Sequence, residues 1–497
     1  MTVATAEPYV DLSSAAAIRL ALKWQIIGLL LMICHALLVK QSLLLTPLML
    51  IGLGWLYANA PLAGITTYLQ ILFYQNWIIG FFANGMLREP TFVVLQGTNF
   101  AVLLIMACIG WTRLALPAWQ TLRPILLVIM VAVMVACIYA LFGAMKESPL
   151  AASTYFRNTT AMVFAVIVGL DVGRIYSYRT VGIIFLVSAA LSIALGYVEV
   201  SVPDAYYEAT NATSFMALKN SNDPKLDVFW SAQDVTDHNT GSLFNVSGSD
   251  STISQLRFQG TLMHPISYAY IIAVTALVAW SVGLGGWLLV VLPLLALSGV
   301  KGANLLVVGS MLLWLVWVVS RSRALLLITG LIMMVSYVTF GLLFGMENGD
   351  YHVIGLLGGI NGFLSNPLGH GIGVGGNLSA EATRSFKWQA YQASGAADFA
   401  LESAVGVMLY QLGVASIAIF SVFGVLLFKA PWRVDRQSLL FIALAAVMVN
   451  GVFQEEAYAP AAAGCFTLLC AVIIANGNRP VSRLGEAWQS PLVTAHV

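Results

Sequence analysis

The chain is poor in charge. Only 9% of its 497 residues are Asp, Glu, Lys or Arg, against about 25% in an ordinary soluble domain. The 22 acids and 23 bases cannot clothe a 53.4 kDa globule in polar groups, which excludes a soluble enzyme and a disordered chain. Cysteine is also scarce. Cys34, Cys108, Cys137, Cys465 and Cys470 all lie in apolar runs, and none forms a CxxC pair, so neither a disulfide framework nor a thiolate metal site is expected. No Gly-Lys-Ser/Thr P-loop is present, and the six histidines show no HxxxH or HExxH spacing. No cofactor and no metal are therefore expected. Three histidines read as structural or solvated: His35 alone in the first apolar run, His238 in a polar loop and His496 in the tail. Short alternating strands are missing too, which argues against an outer-membrane barrel.

Apolar residues are abundant instead, at 59%, with a mean hydropathy of +0.86. Runs of about 18 residues or more recur along the chain, long enough to span a bilayer as helices. The expected fold class is all-α, a polytopic helical membrane protein with about 14 transmembrane helices. These lie near 24–39, 42–59, 64–84, 91–112, 124–145, 158–175, 180–198, 261–282, 285–299, 302–319, 324–345, 403–428, 438–453 and 459–476. Arg19 and Lys23 precede the first run and no small-residue cleavage site follows it, so it reads as a membrane helix and not as a removable signal. The chain divides into N-terminal helices (1–198), a large polar segment (199–260), central helices (261–345), a second polar segment (346–402) and C-terminal helices with a tail (403–497).

Basic residues set the orientation. With the N-terminus inside, the inner loops and ends collect Arg19, Lys23, Arg113, Arg123, Arg174, Arg179, Arg321, Arg323, Lys429, Arg433, Arg436, Arg479 and Arg483. The short outer loops collect only Lys40, Arg88, Lys146, Arg157 and Lys301. Both termini are then cytoplasmic, and both polar segments fall outside. Asp171 and Arg174 can pair within one helical turn on the inner side, a structural role.

The outer segments hold the candidates for chemistry. In 199–256, Ser, Asp, Asn and Thr are interspersed with Tyr206, Tyr207 and Trp230, which fits either a sugar-contacting lid or a solvated connector. Sequons at Asn211 and Asn245 read as chance. Arg257 closes this segment in Arg257-Phe-Gln-Gly260-Thr-Leu-Met-His264-Pro265. Its guanidinium either grips a phosphate or anchors at the interface. The run Asn366-Pro-Leu-Gly-His370-Gly-Ile-Gly-Val-Gly-Gly376 is no helix, and is either an anion-binding nest or a flexible turn. Glu402, at the start of an apolar run, is either a helix N-terminal acid or a carboxylate poised to accept a hydroxyl proton. Glu455 and Glu456, in an outer loop, are candidates for binding sugar hydroxyls.

Three of these pieces share one resemblance. Arg257-x-x-Gly260-Thr261-x-x-His264-Pro265 resembles the Arg-x-x-Gly-Thr-Phe-x-x-Pro-Asn segment of the O-antigen ligase/polymerase superfamily. Asn366-Pro367-Leu368-Gly369-His370-Gly371-Ile372-Gly373 is similar to its Pro-Leu-Leu-Gly-x-Gly-Leu-Gly stretch. Glu402-Ser403 followed by Gly413 resembles its His-Asn/Ser-x9-Gly motif. The resemblance covers 255–416.

It implies an inverting, metal-independent glycosyltransferase acting on undecaprenyl-diphosphate-linked oligosaccharides at the periplasmic face of a bacterial inner membrane. Wzy-type polymerases join lipid-linked repeat units, with donor and acceptor both carried on lipid. Ligases move a finished chain to lipid A core. Arg257 takes the role of the family's first diphosphate-binding arginine. The second falls on His352, counted back from Pro367, or has moved to Arg384 or Lys387. Lys301, where the family has an arginine, and His370 are further diphosphate candidates. Tyr206, Tyr207, Trp230, Trp388, Glu455 and Glu456 are candidates for the glycan. Glutamate stands at 402 where ligases carry histidine, which points to the polymerase branch with Glu402 as catalytic base. A chain-length regulator and a flippase are the implied partners, with no nucleic acid. A ligase and a lipid-linked oligosaccharide transporter are the competing expectations. Few ionisable groups lie mid-span, which weighs against transport.

Overall fold

A computed structural model describes residues 10–83, 89–219, 231–242, 254–377, 379 and 387–478. Helices form at each of the fourteen apolar stretches. The N-terminal set is α1 (Ser14–Gln41), α2 (Leu45–Asn59), α3 (Pro61–Ala83), α4 (Glu89–Leu114), α5 (Arg123–Lys146), α6 (Pro149–Ile175) and α7 (Tyr178–Ser201). The first polar segment folds into short helices α8 (Pro203–Ala209), α9 (Ala212–Lys219) and α10 (Ala232–Asn239), then the antiparallel pair β1 (Thr240–Ser242) and β2 (Ser254–Leu256). Next come α11 (Pro265–Ser281), α12 (Leu288–Leu297), α13 (Lys301–Ser320), α14 (Arg323–Asn348) and α15 (Tyr351–Ser365). The chain closes with α16 (Trp388–Ser394), α17 (Ala404–Leu412), α18 (Ser416–Lys429), α19 (Ser438–Asn450) and α20 (Cys465–Gly477).

Among the described residues, nine helical stretches are long and apolar enough to cross a membrane, and four apolar helices are shorter. α3 is not one of the nine, because Thr66, Thr67, Gln70, Gln75 and Asn76 interrupt it. Exposed aliphatic side chains cover α1, α5, α13 and α14, and only 6% of the most apolar stretch of α14 is buried. Such faces need an apolar solvent. The chain is an all-α, multi-pass membrane protein.

Its centre is the pair α6 and α20, whose apolar stretches are nine-tenths buried. They meet along a seam of small residues. A side chain at Gly169 would fall 2.2 Å from the Leu468 carbonyl, and one at Gly173 would fall 2.6 Å from that of Val472. Close approach of this kind replaces the hydrophobic effect as the force between helices in lipid. At one end of α6, Asp171 receives the Tyr57 hydroxyl at 2.8 Å, Arg113 at 3.0 Å and Arg174 at 3.1 Å. Asp171 and Arg174 thus hold the structural role expected of them, extended to Arg113 and Tyr57 and joining α2, α4 and α6.

The described residues of the second polar segment pack into the bundle. α15 packs its glycines onto α17 and the chain before it: Cβ atoms at Gly355 and Gly359 would lie 2.0 and 2.5 Å from the carbonyls of Leu401 and Gly406. That packing fixes the place of Glu402.

Candidate functional site

Glu402 sits where α17 begins, in a backbone conformation that side chains rarely adopt (φ +52°). The Ser403 N–H donates to the Leu401 carbonyl at 2.6 Å, closing a three-residue turn around it. A non-glycine residue held this way carries strain of about 1–3 kcal/mol. The surroundings impose it. The Glu402 carbonyl accepts the Glu455 N–H at 2.9 Å and His352 Nδ1 at 3.3 Å. Ser403 caps α17 through the Gly406 N–H and donates to the Val452 carbonyl. Because a carbonyl only accepts, His352 carries its proton on Nδ1.

The Glu402 carboxylate faces a cavity of about 1040 Å³. Glu455 and Glu456, on the short turn before α20, line the same cavity. So do Lys219 at the end of α9, His264 capping α11, and Tyr155 and Arg157 on α6. Asn377 bridges the acids: its Nδ2 donates to Glu402 Oε1 at 2.6 Å and lies 3.5 Å from Glu455 Oε2. The Tyr155 hydroxyl donates to Glu455. His264 Nδ1 accepts the Ser267 N–H at 3.3 Å, which leaves the proton on Nε2, 3.7 Å from Glu456 Oε1. Burial pushes the Glu402 carboxyl up to about 8; the Glu456 charge adds to this, and the Asn377 hydrogen bond opposes it. Glu402 is therefore largely protonated at neutral pH, and it becomes a base as pH rises.

Arg257 and Lys301 do not line the cavity; they form a basic cluster of their own near α13 and α15. The stem of Arg257 passes over Gly299, where a side chain would stand 3.7 Å from its Cγ. Lys301 and His352 both feel the Arg257 charge. Tyr351 feels Glu402, Asp350, Arg257 and Glu456 at once, so the cluster lies within electrostatic reach of the carboxylates. Gly302 packs against Gln454, whose Oε1 accepts from Tyr270, so the Lys301 end of α13 is tied to the residue before Glu455. Burial lowers the pKa of His352, with Arg257 and Lys301 adding to the effect and Asp350 and the Glu402 carbonyl opposing it. His352 holds the Glu402 backbone through Nδ1, and burial favours its neutral form.

Glu199 explains the Arg257–His264 segment. Its carboxylate accepts the Gln259 N–H at 2.7 Å, the Gly260 N–H at 2.6 Å and the Tyr207 hydroxyl at 2.7 Å. Gly260 has φ +56°, and a Cβ there would fall 2.3 Å from the Tyr268 ring. Only glycine fits.

Other expected residues lie elsewhere. Tyr206 and Tyr207 are 5% and 1% exposed and packed in the core, so they offer no ring face to a sugar. The glycine run is not an anion nest. The N–H groups of His370, Gly371, Ile372 and Gly376 donate to the carbonyls of Tyr410, Gln411, Tyr139 and Ala400. The run is a packed strap that delivers Asn377. His370 stacks on Tyr410 (4.2 Å, 16°), away from the cavity lining. Trp388 meets Tyr351 edge-on at 6.3 Å, near the basic cluster, and Lys387 is exposed one residue before it. Trp230 and Arg384 fall outside the described residues. Sequence reading missed Lys219, Tyr155 and Asn377, and it used Arg157 only as a marker of sidedness.

Among the described residues no group of His, Cys, Asp and Glu has the arrangement of a metal site. Compared with known proteins, the chain matches no family model, no curated protein sequence and no solved structure.

Proposed function

We propose that this chain is a polysaccharide polymerase of the Wzy type in a bacterial inner membrane, with fourteen crossing helices, both termini cytoplasmic and the cavity on the periplasmic side. Its substrates are two glycans carried on undecaprenyl diphosphate, and the product is a longer chain on one carrier. One observation carries the reading: Glu402 lines a cavity with room for sugar rings beside Glu455 and Glu456, and Tyr351 lies within electrostatic reach of Glu402, Glu456 and Arg257 together.

The Glu402 carboxylate takes the proton of an acceptor sugar hydroxyl. The freed oxygen attacks the donor's anomeric carbon from the face opposite the diphosphate. The bond from that carbon to the diphosphate breaks, and its electrons leave with the phosphate. Arg257 and Lys301 stabilise the charge that develops there. The single displacement inverts the anomeric centre. Glu455 and Glu456 accept hydrogen bonds from sugar hydroxyls. A chain-length regulator and a flippase are the proposed partners.

The test is to give the purified protein a lipid-diphosphate repeat unit alone. A ladder of longer lipid-linked products is expected, and none from Arg257→Ala. A full ladder from that variant overturns the role of Arg257. A ligase makes no ladder from this substrate. A transporter is the second reading, and one observation favours it: Glu455 and Glu456 sit on an interrupted helical segment beside a wide cavity. It forecasts movement of the repeat unit across a vesicle membrane without elongation.

A further inference from the structure

The cavity holds a cation that the transfer step leaves unused. Arg157 lines it from α6. Its Nε donates to Asn158 Oδ1 at 3.3 Å, and no carboxylate among the described residues pairs with its guanidinium. Among the described residues nothing else accepts from its donor fork, and the half-buried guanidinium is open to the cavity, where a ligand can meet it. Lys219 differs, because the Glu456 charge already acts on it.

Position separates Arg157 from the acids. An α-helix turns about 100° per residue, so Arg157 and Tyr155 lie about 160° apart around α6. Tyr155 donates to Glu455. Arg157 lies on the opposite edge of the cavity-facing arc. Gln75, Gln96, Asn99 and Asn158 also line the cavity, and the Oε1 of Gln75 is buried without a partner. Amides suit sugar hydroxyls, and a guanidinium suits a planar or tetrahedral oxyanion through paired N–H donors.

We infer that Arg157 and these amides form a subsite for an oxyanion carried by the substrate, either a sugar carboxylate or a phosphoryl group. The inference rests on the glycan reading of the cavity and adds to it an anionic class of substrate.

Binding to the purified full-length protein tests it, with three probes: a glucuronic-acid disaccharide, its neutral methyl ester and farnesyl diphosphate. Arg157→Gln is expected to weaken an anionic probe at least about tenfold, the loss of one charged hydrogen-bonding pair. The neutral ester should bind as to wild type, which reports an intact cavity. Arg157→Lys should fall between. A loss confined to the disaccharide identifies the carboxylate, and one confined to the diphosphate identifies the phosphoryl group. Equal binding of both anionic probes by wild type and Arg157→Gln, or no binding by either, overturns the subsite. Arg257→Ala, measured in parallel, separates the two ideas. Lost diphosphate binding and lost elongation there, with Arg157→Gln unchanged, would retain the polymerase reading and remove only the subsite.

Discussion

The two ends of α6 use charge in opposite ways. At one end Asp171 is surrounded by Arg113, Arg174 and the Tyr57 hydroxyl, so its buried charge is met by two cations. About 24 Å along the helix axis, Tyr155 opens onto a cavity where Glu402, Glu455 and Glu456 converge. There Asn377, a neutral amide, stands where a cation would balance the acids. A chain with so few charges ties its helices together with one group and gathers the other at a cavity. Burial first, and the neighbouring Glu456 charge second, raise the Glu402 carboxyl toward the pH at which it can exchange protons.

Substitutions at the two ends should therefore fail differently. Glu402→Gln should cut elongation about 10²- to 10⁴-fold, the usual worth of a general base, while the protein still inserts and folds; a lipid-linked ladder assay with gel filtration reads both. Glu402 also sets a stability trend. Its folded pKa, about 8, lies above the ordinary 4.5, so its contribution is present below pH 4.5 and is lost as pH rises through about 8. Glu402→Gln should thus melt higher than wild type at pH 9 and not at pH 4. Asp171→Asn should do the reverse. It strands two guanidinium groups and should cost about 3–5 kcal/mol, seen as a lower melting temperature in detergent, with the pH dependence of elongation unchanged in the surviving protein. Gly260→Ala, between these extremes, should cost about 1–3 kcal/mol from overpacking against Tyr268 and weaken elongation by displacing Arg257. Comparable melting of wild type and Gly260→Ala would contradict that packing.

The helices were legible because a bilayer demands long apolar runs: a helix forms at each expected position, and among the described residues nine stretches are long and apolar enough to cross. The cavity was legible only in part. Glu402 stood out as an acid at the lip of an apolar run, and Glu455 and Glu456 as a charged pair between two others. Asn377 and Lys219 lie in polar surroundings where neither is unusual, and only the packing of α9, α15 and the glycine run brings them to the acids. Tyr206 and Tyr207 misled for the converse reason. Their polar neighbours suggested a surface, whereas Glu199, a carboxylate inside an apolar run, binds the Tyr207 hydroxyl in the core, and Tyr206 packs beside it edge-on. The glycines of 369–376 serve close contact with α5, α6 and α17, which a one-dimensional pattern cannot distinguish from anion binding.

The pH–rate profile of elongation, compared between wild type and Glu456→Gln, tests the central claim most directly. Glu402 must lose its proton to act, and the Glu456 charge holds that proton on. Wild-type rate should rise with pH through about 8, and removing the Glu456 charge should move that limb to lower pH. A wild-type profile that is flat from pH 6 to 9 (about the range that brackets such a carboxyl), or a limb that Glu456→Gln leaves in place, would contradict the assignment of Glu402 as the base.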